Sequence, residues 1–462
     1  MPEHVPLTDA DCFLRAFDGE VRRYAGASHV SQLVLRLGPG FDVEGFRKLL
    51  AELVPANPIL RAPIGRPYGV GAPVYRTGRA PRRLLPPVRV HEAALPEGTS
   101  PDALASGDVA LPERFFGVMN ERFSPRRGEL LRFDVVRYAG GAQGCDLAMS
   151  WLHMLFDGSG SEGFVAWLDA CFRGVESTGH RLVDPATARG DGPAERRSAA
   201  PRESFKERGA RARAWQKHVQ GQAVLPVRSL AGPLRRQQQA LRYHVLTLDR
   251  EQTERVTVRA KEQAGFLTPM LFYLAASVRA HHAVFRARGQ DPGSYVVPLP
   301  VNLRPKGSEG AIFRTHVSLL WFQVRSELVD DFAALVDALK EQRRHSIRDG
   351  IVEGGVAAME FARYAPGPLY AHMARRHLGG ELCSFFFAFT GNFLPGMESF
   401  LGAPIRNGFH AAPVPPSPGS CAAMSLREGR LNVTHVFQQG LLSDAEHRIF
   451  RDQLLGDLLG EG

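Results

Sequence analysis

The chain has 462 residues, of which 44% are hydrophobic and 23% charged, and its formal net charge is +9. Its length predicts two domains of about 200 residues each, and its composition excludes a wholly disordered chain. The N-terminus lacks the basic start of a secretory signal, and no apolar run approaches the roughly 20 residues that span a bilayer. We therefore expect a cytoplasmic protein without a membrane span. The five cysteines are scattered and odd in number, so they indicate neither a disulfide framework nor a zinc site.

Strands and helices alternate in the N-terminal part of the sequence. Period-2 alternation predicts strands, and apolar residues at i, i+3, i+4 and i+7 predict helices. The predicted elements, in chain order, are a strand at 30–37, a helix at 42–54, strands at 131–138 and 146–156, and a helix that begins after residue 158.

A basic segment follows. Residues 189–242 contain thirteen Lys or Arg and four acidic residues, which accounts for the entire net charge of the chain. Pro, Gly, Gln and Ser interrupt it, which indicates a linker with one solvated helix at 204–219. The segment is interpreted either as a soluble connector or as a landing surface for an anionic partner such as a phosphorylated cofactor or an acidic carrier protein. No nucleic-acid partner is expected, because aromatic residues do not alternate with the basic ones.

The alternation of strands and helices resumes after the linker. Thr268 and Pro269 are typical of a helix cap followed by the first helical position. The predicted elements are strands at 241–248, 295–301, 315–324, 382–389 and 431–437, and helices at 269–286, 331–344 and 443–459. The sequence thus predicts an α/β fold with mixed sheets, divided into 1–185, a basic linker at 186–240, and 241–462.

Two motifs overlap in SWLHMLFDGSGSEG, residues 150–163. From Gly158 the stretch reads Gly-x-Gly-x-x-Gly, the dinucleotide-binding fingerprint, between a predicted strand and a predicted helix. Asp157 would place a carboxylate beside the pyrophosphate, no second strand follows the helix, and the motif begins far into the chain. We therefore do not expect a nicotinamide or flavin site.

From His153 the same stretch reads His-x-x-x-Asp-Gly. The predicted strand would place His153, Leu155 and Asp157 on one face. A neutral histidine can accept a proton from a hydroxyl or an amine, because its unperturbed pKa is near 6.5. Asp157, followed by Gly158, is better suited to fixing the loop than to chemistry. The alternative is a core histidine whose hydrogen bonds are satisfied.

The HMLFDG stretch resembles the motif of the chloramphenicol-acetyltransferase-like superfamily, which includes condensation domains, wax-ester synthases, alcohol acetyltransferases and polyketide-associated acyltransferases. The resemblance extends over most of the chain. The segments that carry it are 6–17 (PLTDADCFLRAF), 46–62 (FRKLLAELVPANPILRA), 298–307 (PLPVNLRPKG), 387–396 (FAFTGNFLPG) and 415–437 (PPSPGSCAAMSLREGRLNVTHVF).

This resemblance implies two halves arranged as a V, with His153 at their interface and a tunnel that reaches it from both faces. It also implies that Arg304 pairs with Asp157 and holds the loop rigid. The Gly158 amide and the side chains of Thr390 and Asn392 are candidates for stabilising an oxyanion. No metal and no tightly bound cofactor are implied.

The function that the resemblance implies is that of a stand-alone acyltransferase. It would move an acyl group from a thioester, on coenzyme A or an acyl carrier protein, to a hydroxyl or amine of a small-molecule acceptor, with His153 as general base. One alternative is a catalytically silent binding or carrier-docking module. Another is a peptide-bond-forming condensation enzyme, although Leu152 stands where such enzymes have a second histidine.

Overall fold

Strands and helices alternate along most of the chain. The computed structural model describes residues 3–69, 71–94, 107–175, 204–222, 227–234, 240–304, 312–376 and 378–461. The strands are β1 (Val5–Pro6), β2 (Val30–Leu37), β3 (Ile64–Gly65), β4 (Val74–Tyr75), β5 (Val88–Ala93), β6 (Gly107–Asp108), β7 (Leu131–Tyr138), β8 (Cys145–Leu152), β9 (Leu241–Leu248), β10 (Ser294–Asn302), β11 (Val317–Arg325), β12 (Phe386–Asn392), β13 (Ser399–Phe400), β14 (Ala403–Ala411), β15 (Ser420–Arg427) and β16 (Arg430–Gln438). The helices are α1 (Asp9–Tyr24), α2 (Val43–Ala56), α3 (Glu113–Met119), α4 (Gly158–Phe172), α5 (Phe205–Gln222), α6 (Arg250–Ala264), α7 (Pro269–Ala287), α8 (Phe332–Arg348), α9 (Ile351–Ala362), α10 (Gly367–Arg376) and α11 (Asp444–Leu459).

Most of the strands belong to two large sheets. The first has the order β13-β14-β2-β8-β7-β5, and the second has the order β12-β15-β16-β9-β6. Each combines antiparallel neighbours with one parallel pair, which is β5 with β7 in the first sheet and β12 with β15 in the second. These mixed sheets, together with the helices, confirm the predicted fold class.

Each large sheet contains a strand from the other end of the sequence. In the first sheet, β14 lies antiparallel to β2, with Phe409 opposite Val34. In the second sheet, β6 lies antiparallel to β9, with Gly107 opposite Thr247. In each large sheet, a strand from before the basic segment therefore pairs with a strand from after it. The domain division predicted from the sequence stays a prediction, because the boundary between residues 185 and 186 lies outside the described residues.

A buried cluster joins the two large sheets. Val34 of β2 and Ala148 of β8 share it with Tyr243 of β9 and Val436 of β16. The Tyr243 hydroxyl also donates a hydrogen bond of 2.6 Å across the sheets to Gln32 Oε1. Burial of apolar surface supplies the stabilisation, while hydrogen bonds satisfy the polar atoms that are buried with it.

The basic segment lies only partly within the described residues, and the solvated helix predicted there is confirmed as α5, most of whose described side chains are exposed. One side of α5 nevertheless contacts the rest of the fold. Trp215 packs against Gly354 and Gly355 of α9, where a Cβ on Gly354 would lie only 2.9 Å from the Trp215 Cβ. In the described ranges, every helix is too short or too polar to cross a lipid bilayer.

Two predicted strands have different bounds in the structure. The strand predicted at 146–156 is wrong beyond Leu152. Its neighbour β2 begins at Val30, opposite Leu152, and its other neighbour β7 begins at Leu131, opposite Trp151. Residues beyond Leu152 therefore have neither of these strands beside them to continue the pairing. The strand predicted at 382–389 begins only at Phe386; Ser384 instead donates its backbone N–H to Val296 O at 2.8 Å.

Candidate active site

The His-x-x-x-Asp-Gly motif forms the connection between β8 and α4. A turn begins at His153, closed by a hydrogen bond of 2.8 Å from Leu155 N to Leu152 O. The prediction that one strand face carries His153, Leu155 and Asp157 is therefore wrong. The backbone turns immediately after Leu152. The direction of the His153 side chain is therefore set by this turn and not by the in-and-out alternation of β8.

Three successive carbonyl groups of this turn accept hydrogen bonds from three different parts of the fold. The Tyr75 hydroxyl donates to Met154 O at 2.5 Å. The backbone N–H of Arg314 donates to Leu155 O at 2.7 Å. Trp151 Nε1 donates to Phe156 O at 2.8 Å. We call these three bonds the carbonyl clasp. They fix the backbone from which the His153 side chain projects.

Arg314 contributes to the clasp from an uncommon backbone conformation. Its φ is 75°, in the left-handed region, and its side chain is buried. A non-glycine residue in this region stores strain of roughly 1–3 kcal/mol. The following residue, Thr315, donates its N–H to the buried Asp11 carboxylate at 2.8 Å. Arg314 is thus held in this conformation by its own hydrogen bond to Leu155 O and by the hydrogen bond of the next residue, Thr315, to Asp11.

Asp157 is buried and accepts three hydrogen bonds. Oδ1 caps α4 by accepting the N–H of Gly160 at 2.8 Å. Oδ2 accepts from Arg304 Nη1 and from the N–H of His316, both at 2.8 Å. Burial raises the pKa of Asp157, but the Arg304 guanidinium and the His316 amide outweigh it, so that the pKa lies below its ordinary value. A carboxylate engaged in this way has a structural role.

The His153 imidazole lies beside His29, with ring centroids 5.6 Å apart. The side chain is partly accessible, while its Nδ1 atom is buried and has no hydrogen-bond partner among the described residues. Burial lowers the pKa of His153 to about 4, and the Asp157 carboxylate offsets part of that effect. At neutral pH the ring is therefore uncharged and can accept a proton, although it holds that proton weakly.

The oxyanion candidates lie at the start of α4 and the end of β12. Gly158 is the first residue of α4, where a backbone N–H has no acceptor within the helix. A Cβ on Gly158 would lie 3.7 Å from Thr390 Cγ2, so the structure brings these two residues together. Asn392 lies two residues further on with an exposed side chain, beyond a register shift that contains Gly391 at φ 75°.

Sequence reasoning did not identify three polar residues that lie next to the motif. Ser161 Oγ donates to Gly158 O at 2.7 Å and lies 3.0 Å from His410 Nε2. Glu162 Oε1 lies 4.0 Å from the same His410 nitrogen. Ser161 and Glu162 lie three and four residues after Gly158, but no pattern connects them with His410, which lies about 250 residues further along the chain, in β14.

The described residues contain no cluster of three or more His, Cys, Asp or Glu side chains that could hold a metal ion. The groups assembled at the His-x-x-x-Asp-Gly motif are imidazoles, hydroxyls, backbone amides and a second carboxyl group. These groups can transfer protons and stabilise developing negative charge.

Comparison with known proteins identifies the fold. The chain is similar to the first condensation domain of the calcium-dependent antibiotic synthetase, with 17% identity, a TM-score of 0.68, and coverage of 99% of this chain and 96% of that one. It is similar to SgcC5 from Streptomyces globisporus at 16% identity and TM-score 0.62, with 98% of each chain covered. It is also similar to polyketide synthase associated protein 5 from Mycobacterium tuberculosis at 14% identity and TM-score 0.58, with both chains covered completely.

No family model matches the sequence, and no curated protein does so either. The structural likeness nevertheless covers nearly the whole chain in each of these comparisons. The fold that the sequence resemblance implied is therefore confirmed, and it is the fold of condensation domains.

Proposed function

We propose that this protein is an acyltransferase that moves an acyl group from a thioester to a hydroxyl or amine of a small-molecule acceptor. The fold shared with condensation domains supports an acyl-transfer or condensation-type role. The observation that carries the proposal is the His153 ring itself. It is neutral at pH 7 and partly accessible, and it projects from a turn that the carbonyl clasp and Asp157 hold rigid.

His153 is the general base in this proposal. It takes the proton from the acceptor O–H or N–H as the acceptor's O or N forms a bond to the thioester carbonyl carbon. The tetrahedral intermediate collapses by breaking the C–S bond, and the imidazolium returns the proton to the departing thiolate. Because the His153 pKa is about 4, the imidazolium requires negative charge nearby, which the developing oxyanion supplies.

The oxyanion is assigned to the Gly158 amide and the Thr390 hydroxyl. Their proximity across the junction of α4 and β12 supports this pairing. Donors that are fixed in advance stabilise charge as it develops without having to reorganise. The assignment of Asn392 as a third donor rests on its position in β12 alone. No metal or tightly bound cofactor takes part in the proposed reaction.

A second candidate function is a catalytically silent binding or carrier-docking module. The low pKa of His153 favours it, because a weak base is a poor proton acceptor. Replacing His153 by Ala separates the two. An acyltransferase is expected to lose roughly 100-fold or more of its turnover while its melting temperature stays within a degree or two. A binding module is expected to bind its partner unchanged.

The assay follows thiol release from octanoyl-coenzyme A, octanoyl acyl carrier protein and the minimal thioester octanoyl-N-acetylcysteamine, each with a panel of alcohols and amines. His345→Ala is the matched control, because His345 lies on the outer face of α8 with a side chain 46% exposed. Equal turnover by the His153→Ala variant and the unmodified protein would overturn the assignment of His153. Detection of an amide product with an aminoacyl acceptor would favour the condensation alternative.

The donor is proposed to dock on α5. The side chains of Lys206, Arg213 and Lys217 are exposed on this helix, where they offer positive charge to the phosphates of coenzyme A or to an acidic carrier protein. Replacing the three residues by Glu is expected to raise KM for the carrier-bound or coenzyme A donor. The KM for octanoyl-N-acetylcysteamine, which carries no phosphate, should stay unchanged. Equal effects on both donors would overturn α5 as a docking surface.

A further inference from the structure

Glu162 lies on the same face of α4 as Gly158, one turn further along the helix. A Cβ on Gly158 would lie 3.9 Å from His410 Cε1, and Glu162 Oε1 lies 4.0 Å from His410 Nε2. The carboxyl group therefore borders the junction where the oxyanion candidates meet. Its side chain is 13% exposed, so it is largely but not completely removed from solvent.

The two carboxyl oxygens of Glu162 have different surroundings. Oε2 accepts the N–H of Leu394 at 2.8 Å. Oε1 makes no hydrogen bond within the described residues, and unlike the Nδ1 atoms of His153 and His410 it is not sealed from solvent. One side of the carboxyl group is thus anchored to the protein, and the other is open to an incoming group.

His410 is not hydrogen-bonded to Glu162. Its Nε2 atom lies 3.0 Å from Ser161 Oγ but 4.0 Å from Glu162 Oε1, which is beyond hydrogen-bond distance. The partner of this nitrogen is therefore Ser161, and Oε1 has no hydrogen-bond partner on that side.

Within the described residues, Arg427 is the positive charge that acts on Glu162, but the two side chains form no ion pair. Arg427 on β15 donates to Leu394 O at 2.9 Å and to Met397 O at 2.6 Å and pairs with Glu428 at 3.0 Å. The other groups within the described residues that face Glu162 are the Asp157 carboxylate ahead of α4, which repels a second negative charge, and the uncharged His410 on β14. Burial raises the pKa of Glu162 to about 8 and the Asp157 charge adds to that rise, while the Leu394 hydrogen bond and the Arg427 charge offset only part of it.

We propose, on the basis of the proposed acyl transfer, that Glu162 is a substrate-binding residue whose neutral carboxyl group donates a hydrogen bond from Oε1 to a carbonyl or hydroxyl oxygen of the bound substrate. A neutral carboxyl group beside a reacting centre is a strong donor that carries no charge to repel the oxyanion. Such a donor favours substrates that place an uncharged oxygen next to Glu162 over substrates that place only hydrocarbon there. A substrate ammonium group at this position would instead stabilise the ionised form of Glu162.

The test compares Glu162→Gln with Glu162→Leu, using the donor and acceptor pair that the thiol-release assay finds most active. Gln keeps an N–H donor and an oxygen for Leu394, whereas Leu keeps neither. We expect kcat/KM of Glu162→Leu to lie tenfold or more below that of Glu162→Gln at pH 7. In the unmodified enzyme kcat/KM should fall above pH 8, because the donor ionises, and this fall should be absent in Glu162→Gln.

The matched control is Glu381→Gln. Glu381 is also a buried carboxyl with a raised pKa, but it is bonded to the Ser229 and Ser417 hydroxyls, away from α4. This variant should keep the fall in kcat/KM above pH 8. Infrared spectroscopy provides a readout that does not depend on turnover. The stretching band of a protonated carboxyl should titrate near pH 8 and be missing in Glu162→Gln.

The outcomes separate this inference from the proposed function. Equal kcat/KM for Glu162→Leu and Glu162→Gln would overturn the substrate contact. An unchanged infrared band in Glu162→Gln would overturn the neutral carboxyl even if His153 proved catalytic. Absence of thiol release from every donor would overturn the proposed acyl transfer and the substrate contact with it, while the infrared band would still decide the protonation of Glu162.

Discussion

Replacing Asp157 by Asn is expected to destabilise the fold and to slow turnover together. The carboxylate accepts hydrogen bonds from Gly160 N, Arg304 Nη1 and His316 N, each at 2.8 Å. Asn has one oxygen and one NH2 group, so in either orientation its NH2 group faces a donor. Arg304, whose side chain is only 9% exposed, loses its ion pair with this carboxylate at the same time.

The magnitude follows from the burial of the pair. Removing one partner of a buried ion pair costs about 3–5 kcal/mol, and an unsatisfied buried amide costs about 1–3 kcal/mol. These effects overlap because both involve Oδ2, so we expect the Asp157→Asn variant to lose about 4 kcal/mol of unfolding free energy. Arg304→Gln should lose a similar amount, and the double variant should lose about 2 kcal/mol less than the sum.

Urea unfolding of the two single variants and the double variant measures this coupling. Asp330→Asn is the matched control, because its pair with Arg286 is more than 60% exposed on both sides and should contribute less than about 1 kcal/mol. The pKa of Asp157 lies below its ordinary value of 3.8, so the pair contributes fully above that value and is lost only as the pH falls through the folded-state pKa. The loss in Asp157→Asn should therefore be constant between pH 5 and 8. Effects that add to within about 0.5 kcal/mol would refute the coupling.

Three further predictions test the turn, the buried histidines and the start of α4. Tyr75→Phe removes one bond of the carbonyl clasp and should lower kcat more than it raises KM, as measured by thiol release; an unchanged kcat would show that the clasp does not position His153. The melting temperature should fall as the pH decreases from 6.5 towards 4, because burial lowers the pKa of His281 to about 4 and the unfolded chain binds protons first; a flat profile over this range, measured by calorimetry, would contradict that reasoning. Gly160→Ala should cost several kcal/mol in urea unfolding, because its Cβ would lie 2.3 Å from Ile312 O. Gly19→Ala, at an exposed helical position with open space, should instead stabilise by about 0.5–1 kcal/mol, and an equal effect of the two substitutions would show that the close approach at Gly160 is not real.

Alternation alone predicted several elements closely. The bounds of β2, β7 and β9 agree with the predicted strands, because apolar residues occupy alternate positions along most of each strand. The end of β8 could not be predicted, since the apolar pattern continues through Phe156. It is set by where the neighbouring strands begin, and that information is not local to the residues concerned.

Two helices, α6 and α10, could not be predicted from the local sequence pattern. The packed positions of α6 are mainly small residues, such as Ala260 and Ala264, which do not stand out as an apolar face. In α10 only Tyr370, Ala371 and Arg375 are buried, and one of them is charged. A short or mostly exposed helix is stabilised by packing contacts more than by its own pattern.

The glycine pattern that suggested a nucleotide site has a packing explanation in this structure. Gly160 lies where the backbone of Ile312 leaves no room for a side chain, and Gly158 lies against Thr390 and His410. Closeness of backbones selects glycine whether the neighbour is a phosphate or another segment of the chain. The glycine motif thus indicates that another group lies close to this backbone. It does not indicate whether that group is a phosphate or a second segment of the protein.

The exchange of strands between the large sheets affects how the chain can acquire its structure during translation. When residue 175 leaves the ribosome, β2 still has an open edge, because its partner β14 is encoded more than two hundred residues later. An open edge offers unpaired backbone groups to any other extended chain. His410, which contacts the first turn of α4, arrives with the same late strand. The nascent N-terminal part therefore remains incomplete, and open to pairing with the wrong partner, until β14 at residues 403–411 has been synthesised.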